Sequence, residues 1–298
     1  MSESVNQQTL RGLVARHTRR DGVSETPIEG LRLFRVNHPI ERLPAVYPAS
    51  MCCIAQGSKR AYLGGVAYTY DADHYLCATM PLPVEAEVPF ATPDEPVLGL
   101  VLDLDTRAMA ETLVAYEAAA RPHGTTSAKA SSAGLVVVKE DHGFVGAVVR
   151  LLQLLDDPVA LRVLADGRLR ELLFALIEGE AGPHVRQSFG AAHDITRTLT
   201  YVRENLSEPL SVDDLARRAG MSRAVFHRRF KAATTLSPLQ FIKAVRLNNA
   251  AVMLAGGVSV AQAADQVGYN SPSQFSREFS RLYGMPPRQW AAVSSMGA

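Results

Sequence analysis

Ser211-Val-Asp-Asp-Leu-Ala-Arg-Arg-Ala-Gly220-Met-Ser222-Arg-Ala-Val-Phe226-His-Arg-Arg-Phe230 and Ser259-Val-Ala-Gln-Ala-Ala-Asp-Gln-Val-Gly268-Tyr-Asn-Ser271-Pro-Ser-Gln-Phe275-Ser-Arg-Glu-Phe279 are two renderings of one pattern. In the first, Ser211 is placed to cap a short helix, and Asp214, three residues on, predicts a capping box. Gly220 supplies a left-handed turn residue, and Ser222 caps a second helix. Phe226 and Phe230, one helical turn apart, form that helix's buried stripe. The second copy repeats each part: Gly268 ends a short helix, Ser271 caps the next, and Pro272 stands at the first helical position, where its missing N–H is harmless. Phe275 and Phe279 restore the aromatic pair. A helix, a glycine turn and a second helix with an exposed polar face is the helix-turn-helix unit, whose second helix enters the major groove of DNA.

Working outward, Pro238 to Leu254 joins the two units, capped by Ser237 and ended by Gly256-Gly257. Such a helix is a rod of about 25 Å, the right size to hold two recognition helices about one DNA turn apart. Asp194 to Leu206, with Ile195, Leu199, Val202 and Leu206 on one face, opens this helical region. The charge distribution agrees. Net charge is only +1 over 298 residues, yet residues up to Val185 hold 17 Lys+Arg against 23 Asp+Glu, and those after it hold 14 against 7. A basic C-terminal half suits phosphate neutralisation, and an acidic N-terminal half does not.

Upstream, Thr26 to about Asp105 reads as short strands broken by Pro and Gly. The clearest hairpin is Lys59 to Tyr70 around Gly64-Gly65, which are able to take the positive φ angles of a two-residue turn. Further strands are predicted at Leu31 to Val36, Met51 to Ala55, His74 to Ala78, Val84 to Pro89 and Val97 to Leu104. Strands at this spacing predict a barrel or sandwich whose mouth holds a small molecule. After Asp105 the pattern turns helical: Thr106 to Ala120, a small-residue loop from Arg121 to Ala133, Asp141 to Leu155, and Leu161 to Glu178. The Leu-rich face of the last serves either the core or a dimer interface. Glu180-Ala-Gly-Pro183-His reads as a helix stop and a domain boundary. The basic run Arg16-His-Thr-Arg19-Arg20 reads as a solvated helix end, with a phosphorylated ligand as the alternative.

No apolar run at the N-terminus resembles a signal peptide and none elsewhere spans a bilayer, so a cytoplasmic protein is expected. Cys52, Cys53 and Cys77 give no disulfide framework and no zinc spacing.

The segment Gly268-Tyr-Asn-Ser-Pro-Ser-Gln-Phe-Ser-Arg-Glu-Phe-Ser-Arg-Leu-Tyr-Gly284-Met-Pro286-Pro-Arg288 resembles the signature of the AraC/XylS family of bacterial transcription regulators, the likeness running from about His193 to Trp290. Gln56-Gly57-Ser-Lys59 and Tyr70-Asp-Ala-Asp-His-Tyr75-Leu resemble the cupin-like regulatory domain of one subgroup. This implies an α+β two-domain chain. Residues 1–185 form a cupin-like β-barrel with flanking helices that regulates and dimerises. Residues 193–298 form an all-α DNA-binding domain with helix-turn-helix units at 211–232 and 259–283.

With Phe226 and Phe230 inward, a count of 100° per residue turns Ala224, His227, Arg228 and Lys231 outward, with Arg223 near the helix start. Arg228 suits a bidentate guanine contact and His227 a purine N7. The second unit presents Ser273, Ser276, Arg277 and Ser280 by the same count, and the family resemblance adds Gln274, suited to adenine. Relatives often carry a larger side chain where this chain has Ala224, which leaves it fewer bases to read or a thymine methyl to touch. Arg229 lies toward the flank, nearer phosphate.

The implied function is a sequence-specific transcription regulator, not an enzyme. It needs no cofactor or metal and is controlled by a small-molecule effector. Its partners are double-stranded DNA, the effector and a second copy of the chain, with RNA polymerase a further candidate. Two rivals stand beside this. A cupin-type metalloenzyme needs clustered His and carboxylate ligands, whereas His38 and His74 are isolated and Asp71-x-Asp73 sits beside a turn. A redox or electrophile sensor would use the cysteines, but Cys52 and Cys53, adjacent on a strand, point to opposite faces and read as core.

Overall fold

The computed structural model describes residues 5–119, 134–189 and 194–294. The predicted loop from Arg121 to Ala133 lies outside these residues. The chain opens with α1 (Val5–His17), which buries Leu10, Leu13 and Val14. Nine strands follow: β1 (Gly22–Glu25), β2 (Leu31–Val36), β3 (Ile40–Tyr47), β4 (Ser50–Gln56), β5 (Ser58–Leu63), β6 (Val66–Asp71), β7 (His74–Ala78), β8 (Leu82–Val88) and β9 (Val97–Asp103). Then come α2 (Thr106–Ala119), β10 (Leu135–Lys139), α3 (His142–Gln153), α4 (Pro158–Glu178) and α5 (Gly182–Phe189).

The strands form two antiparallel sheets, β1-β2-β9-β4-β7-β10 and β3-β8-β5-β6. Phe34, Cys52, Ile54 and Leu76 of the first face Ala61, Leu63, Tyr70 and Leu82 of the second across an apolar interior. The other face of the larger sheet, with Leu33, Met51, Cys53 and Cys77, is covered by helices bearing Leu10, Phe144, Leu172 and Leu176. Because β4 is covered on both faces, six of its seven residues are buried, and its sequence shows no polar alternation. Cys52 and Cys53 point to opposite faces, as expected for neighbours on a strand.

All seven expected strands are present, and Gly64 and Gly65 turn the β5–β6 hairpin at φ 60° and 86°. Three more strands were not anticipated. β3 contains Pro44 and a largely polar exposed side, yet pairs with β8 because it is a sheet edge, where a proline's missing N–H disrupts nothing. β1 is short and mostly exposed. β10 interrupts the region read as wholly helical, adding Leu135–Lys139 to the edge at β7. The expected stop after Glu178 is real, but Gly182 and Pro183 then begin α5, whose Val185 and Phe189 are buried in the helical layer, so residue 185 falls within a helix. The Leu-rich face of α4 divides: Leu172, Leu173, Leu176 and Ile177 are core, while Val159, Val163 and Leu164 are exposed.

The C-terminal part is helical: α6 (Asp194–Glu204), α7 (Val212–Arg218), α8 (Arg223–Thr234), α9 (Pro238–Ala255), α10 (Val260–Gln266), α11 (Pro272–Tyr283) and α12 (Pro287–Ser294). Its first half joins the apolar core of the sheets: Ile195, Leu199, Phe226, Phe230 and Val245 belong to the same cluster as Ile54 and Leu82. Direct bonds reinforce the junction. Gly134 N–H donates to Ala233 O at 2.8 Å, and Asn248 Nδ2 to Ala45 O at 3.0 Å. No helix among the described residues is long and apolar enough to cross a membrane.

Candidate nucleic-acid interface

Each reader begins with a serine cap. Ser211, Ser222, Ser259 and Ser271 each accept a hydrogen bond from the backbone N–H three residues on. The capping box expected at Ser211 is not reciprocal: Asp214, one methylene shorter than glutamate, accepts from the Ser211 hydroxyl at 2.6 Å and from Arg217, instead of returning to the backbone. A complete capping box occurs at Ser237 and Gln240, at the start of α9. Gly220 at φ 63° and Gly268 at φ 80° make the turns inside the two units.

Phe226 and Phe230, centroids 5.3 Å apart, are fully buried, and Phe230 meets Phe241 of α9 edge-on at 5.3 Å. In the second unit Phe275 and Phe279 are likewise fully buried, extended by Tyr283 stacked on Phe279 at 4.5 Å and by Trp290. These stripes fix which face looks out. On α8 Arg223, Ala224, His227, Arg228 and Lys231 are exposed, as are Ser273, Gln274 and Arg277 on α11. Ser276 and Ser280 are half-buried, and Ser280 Oγ donates to Ser276 O at 2.8 Å.

The exposed groups differ in how free they are. Arg223 faces Asp213 of α7 at 3.2 Å. Gln274 Nε2 donates to Glu278 Oε1 at 3.1 Å, and the same carboxylate accepts from Lys243 Nζ at 2.8 Å and Tyr269 Oη at 2.7 Å. Burial alone would raise the Glu278 pKa, but these three donors outweigh it and hold it below the usual carboxylate value. Gln274 is therefore tethered from below. Arg228 and Arg277 have no ion-pair partner among the described residues, leaving both guanidinium forks available.

Sequence reasoning missed Arg246. From α9 its Nη1 donates to Gly268 O at 3.1 Å in the second unit's turn, and its Nη2 to Glu208 O at 2.9 Å just before the first unit. Burial lowers its pKa from the ordinary arginine value. A Cβ on Gly268 would stand 2.4 Å from Leu206 O and 2.8 Å from Arg246 Nη2, so this turn needs glycine for close approach as well as for φ. Its two acceptors are distant in sequence and announce nothing there.

Elsewhere, Arg16 and His17 of the N-terminal basic run both bind Asp156, at 2.6 and 3.0 Å, which spends much of that cluster's charge. His74 bonds Asp71 at 2.9 Å across the turn, and among the described residues no group of three or more His, Cys, Asp or Glu side chains is placed to hold a metal. All three cysteines are buried, with thiol pKa values pushed up by burial, that of Cys77 to about 12.

A helical body with two reader units, fastened to a two-sheet domain, is the architecture of a two-domain regulator. Residues 27–184 match the family described as AraC-type transcriptional regulator N-terminus, and residues 215–292 match a helix-turn-helix domain; the chain belongs to the AraC-type transcriptional regulators. It is 34% identical over 121 residues to a putative AraC-like transcription regulator of Streptomyces lividans, covering 39% of this chain and 40% of that protein. To the MmsAB operon regulatory protein of Pseudomonas aeruginosa it is 30% identical over 149 residues, covering 49% and 47%. The chain thus spans less than half the length of each of these relatives. Apo ToxT of Vibrio cholerae, in a variant form, has the same fold: TM-score 0.58 at 12% identity, covering 90% of this chain and 99% of that one. ToxT with a bound unsaturated fatty acid gives 0.54 at 12% identity, covering 88% and 94%.

Proposed function

We propose that the chain is a sequence-specific DNA-binding regulator whose N-terminal domain receives a small-molecule signal. The observation that carries this is the pair of exposed reader faces, Arg228 with His227 and Lys231 on α8, and Arg277 with Ser273 and Gln274 on α11, held by one connecting helix and the Arg246 strut. Residues 193–298 bind DNA, with Arg228 and Arg277 reading guanine edges, Gln274 reading adenine once released from Glu278, and Arg223, Ala224, Lys231 and Ser276 completing the contact surface. Residues 1–185, continued by the remainder of α5, form the regulatory unit.

Family membership and the fatty-acid complex of ToxT support a small-molecule signal. A ligand between the sheets acts on the readers because the buried residues of α8 and α9 are continuous with the sheets' apolar core, so a change in packing there alters how the first unit is held. The exposed Val159, Val163 and Leu164 on α4 support a homodimer through the N-terminal half. The cysteine-sensor reading is disfavoured by the burial of all three thiols.

The test is selection of bound sequences from a random DNA pool by the full chain, followed by footprinting. A single enriched motif with two protected major-groove segments about 10 base pairs apart on one face supports the reading. Recovery of no motif, or protection of one segment only, overturns it.

A further inference from the structure

The inner face of the smaller sheet is apolar but for one cation. Along β5 alternate residues share a face, so Lys59 points the same way as Ala61 and Leu63, both fully buried. Across the ladder Lys59 pairs with Tyr70, also fully buried, and its Nζ stands 4.7 Å from the centroid of the Phe34 ring on the opposing sheet. The hydroxyls of Tyr47 and Tyr70 meet at 3.5 Å in the same space.

On the outer face of this sheet each nearby cation is matched: Arg42 binds Glu85, and Arg60 lies 3.6 Å from Glu87. The Lys59 ammonium pairs with no carboxylate and no hydrogen-bond acceptor among the described residues. Its neighbours Cys52 and Tyr70 are uncharged at neutral pH, since burial pushes both pKa values up. Burial lowers the Lys59 pKa, but not below the ordinary lysine value, so at neutral pH the side chain is cationic among neutral neighbours. A half-buried ammonium on an otherwise apolar face, still reachable from solvent and set only against a ring face, is open to an anionic partner.

We propose that the space between the sheets binds a small organic monoanion, a carboxylate on an apolar body, with its head group on Lys59 and the Tyr47 and Tyr70 hydroxyls beside it. The ring of Phe34 and the side chains of Ile54, Ala61 and Leu76 supply the apolar walls. One ammonium matches one carboxylate, whereas a dianionic phosphate would retain an unmatched charge. This rests on the reading of the N-terminal domain as a small-molecule receiver, and names the chemistry it takes.

The experiment measures thermal shift and calorimetric binding on the full chain, using straight-chain carboxylates of four to sixteen carbons, benzoate and naphthoate, each with its matched alcohol. Wild type is compared with Lys59→Met and Lys59→Arg. At least one acid should bind wild type and Lys59→Arg, bind Lys59→Met at least tenfold more weakly, and exceed its alcohol. Free of ligand, Lys59→Met should melt no lower than wild type, because no native partner is lost. Equal acid binding by Lys59→Met, a marked fall in its ligand-free melting temperature, or no acid bound by wild type overturns the proposal. If alcohols bind all three proteins as well as acids do, the anionic head group is wrong and the small-molecule reading stands. If an acid binds through Lys59 but leaves DNA binding unchanged, the site stands and the signalling reading falls.

Discussion

Gly64, in the hairpin between β5 and β6, abuts Thr235, the residue that ends the first recognition helix: a Cβ on Gly64 would lie 2.5 Å from Thr235 Oγ1. Thr235 is itself at φ 64°, a left-handed conformation that a β-branched residue adopts at a cost, and its hydroxyl is buried without a hydrogen-bond partner among the described residues. The strand bearing Lys59 therefore ends directly on the helix bearing Arg228.

Substituting the two hairpin glycines separates this contact from turn strain. Gly65 has φ 86° with open space where a Cβ would go, so Gly65→Ala should cost about 1–2 kcal/mol of backbone strain alone. Gly64→Ala bears similar strain plus the clash, and should cost at least ~1 kcal/mol more while raising hydrogen exchange at the end of α8. Denaturant unfolding of the full chain compares them; equal costs would mean that the hairpin does not hold the helix.

Arg246 donates to two backbone carbonyls that flank the reader units, so Arg246→Met should weaken DNA binding by loosening the spacing of the two readers. Leaving the Gly268 and Glu208 carbonyls without their donor costs roughly 1–3 kcal/mol of stability. The salt dependence of binding should keep its slope, because no phosphate contact is lost. Anisotropy titrations across a salt series read both quantities.

For the readers themselves, Arg228→Ala and Arg277→Ala should each cost about 1–3 kcal/mol on the selected site and relax preference at one or two positions. Lys231→Ala should weaken all sequences alike and reduce the salt slope by about 1. An Arg277→Ala loss that is equal on selected and random DNA would remove that residue from the reading set.

Glu140 supplies a pH dependence. Its carboxyl accepts from Cys53 Sγ at 2.8 Å and Gln7 Nε2 at 2.5 Å, and burial drives its pKa from 4.5 up to about 7, with Asp73 and Asp71 adding repulsion. The folded state therefore holds a proton that the unfolded chain has released, and stability falls as pH rises from about 4.5 to about 7. The loss amounts to roughly 3 kcal/mol at about 1.4 kcal/mol per unit. Glu140→Gln should flatten this slope in unfolding measured from pH 5 to 7.5.

Cys52, Cys53 and Cys77 should react with iodoacetamide only after denaturation, because each is buried with a raised pKa. Rapid labelling of the folded chain, followed by mass spectrometry, would restore the sensor reading.

What the sequence by itself determined is the part encoded over short distances. Serine caps, turn glycines and the Phe226/Phe230 and Phe275/Phe279 pairs all act within one or two helical turns, so both reader units and their outward faces are written locally in the chain. The Gly64-Gly65 hairpin was legible for the same reason. Tertiary structure decided what depends on partners far along the chain. Pro44 argues against a strand until β3 is known to lie at an edge, and nothing near Arg246 marks the carbonyls of Glu208 and Gly268 as its acceptors. Lys59 looks like any surface lysine until strand register turns it inward beside Ala61, away from the glutamates that satisfy Arg42 and Arg60. Local free energy sets which helices and turns form, but whether a charge is matched or a backbone group is bonded depends on which distant segments the fold brings together.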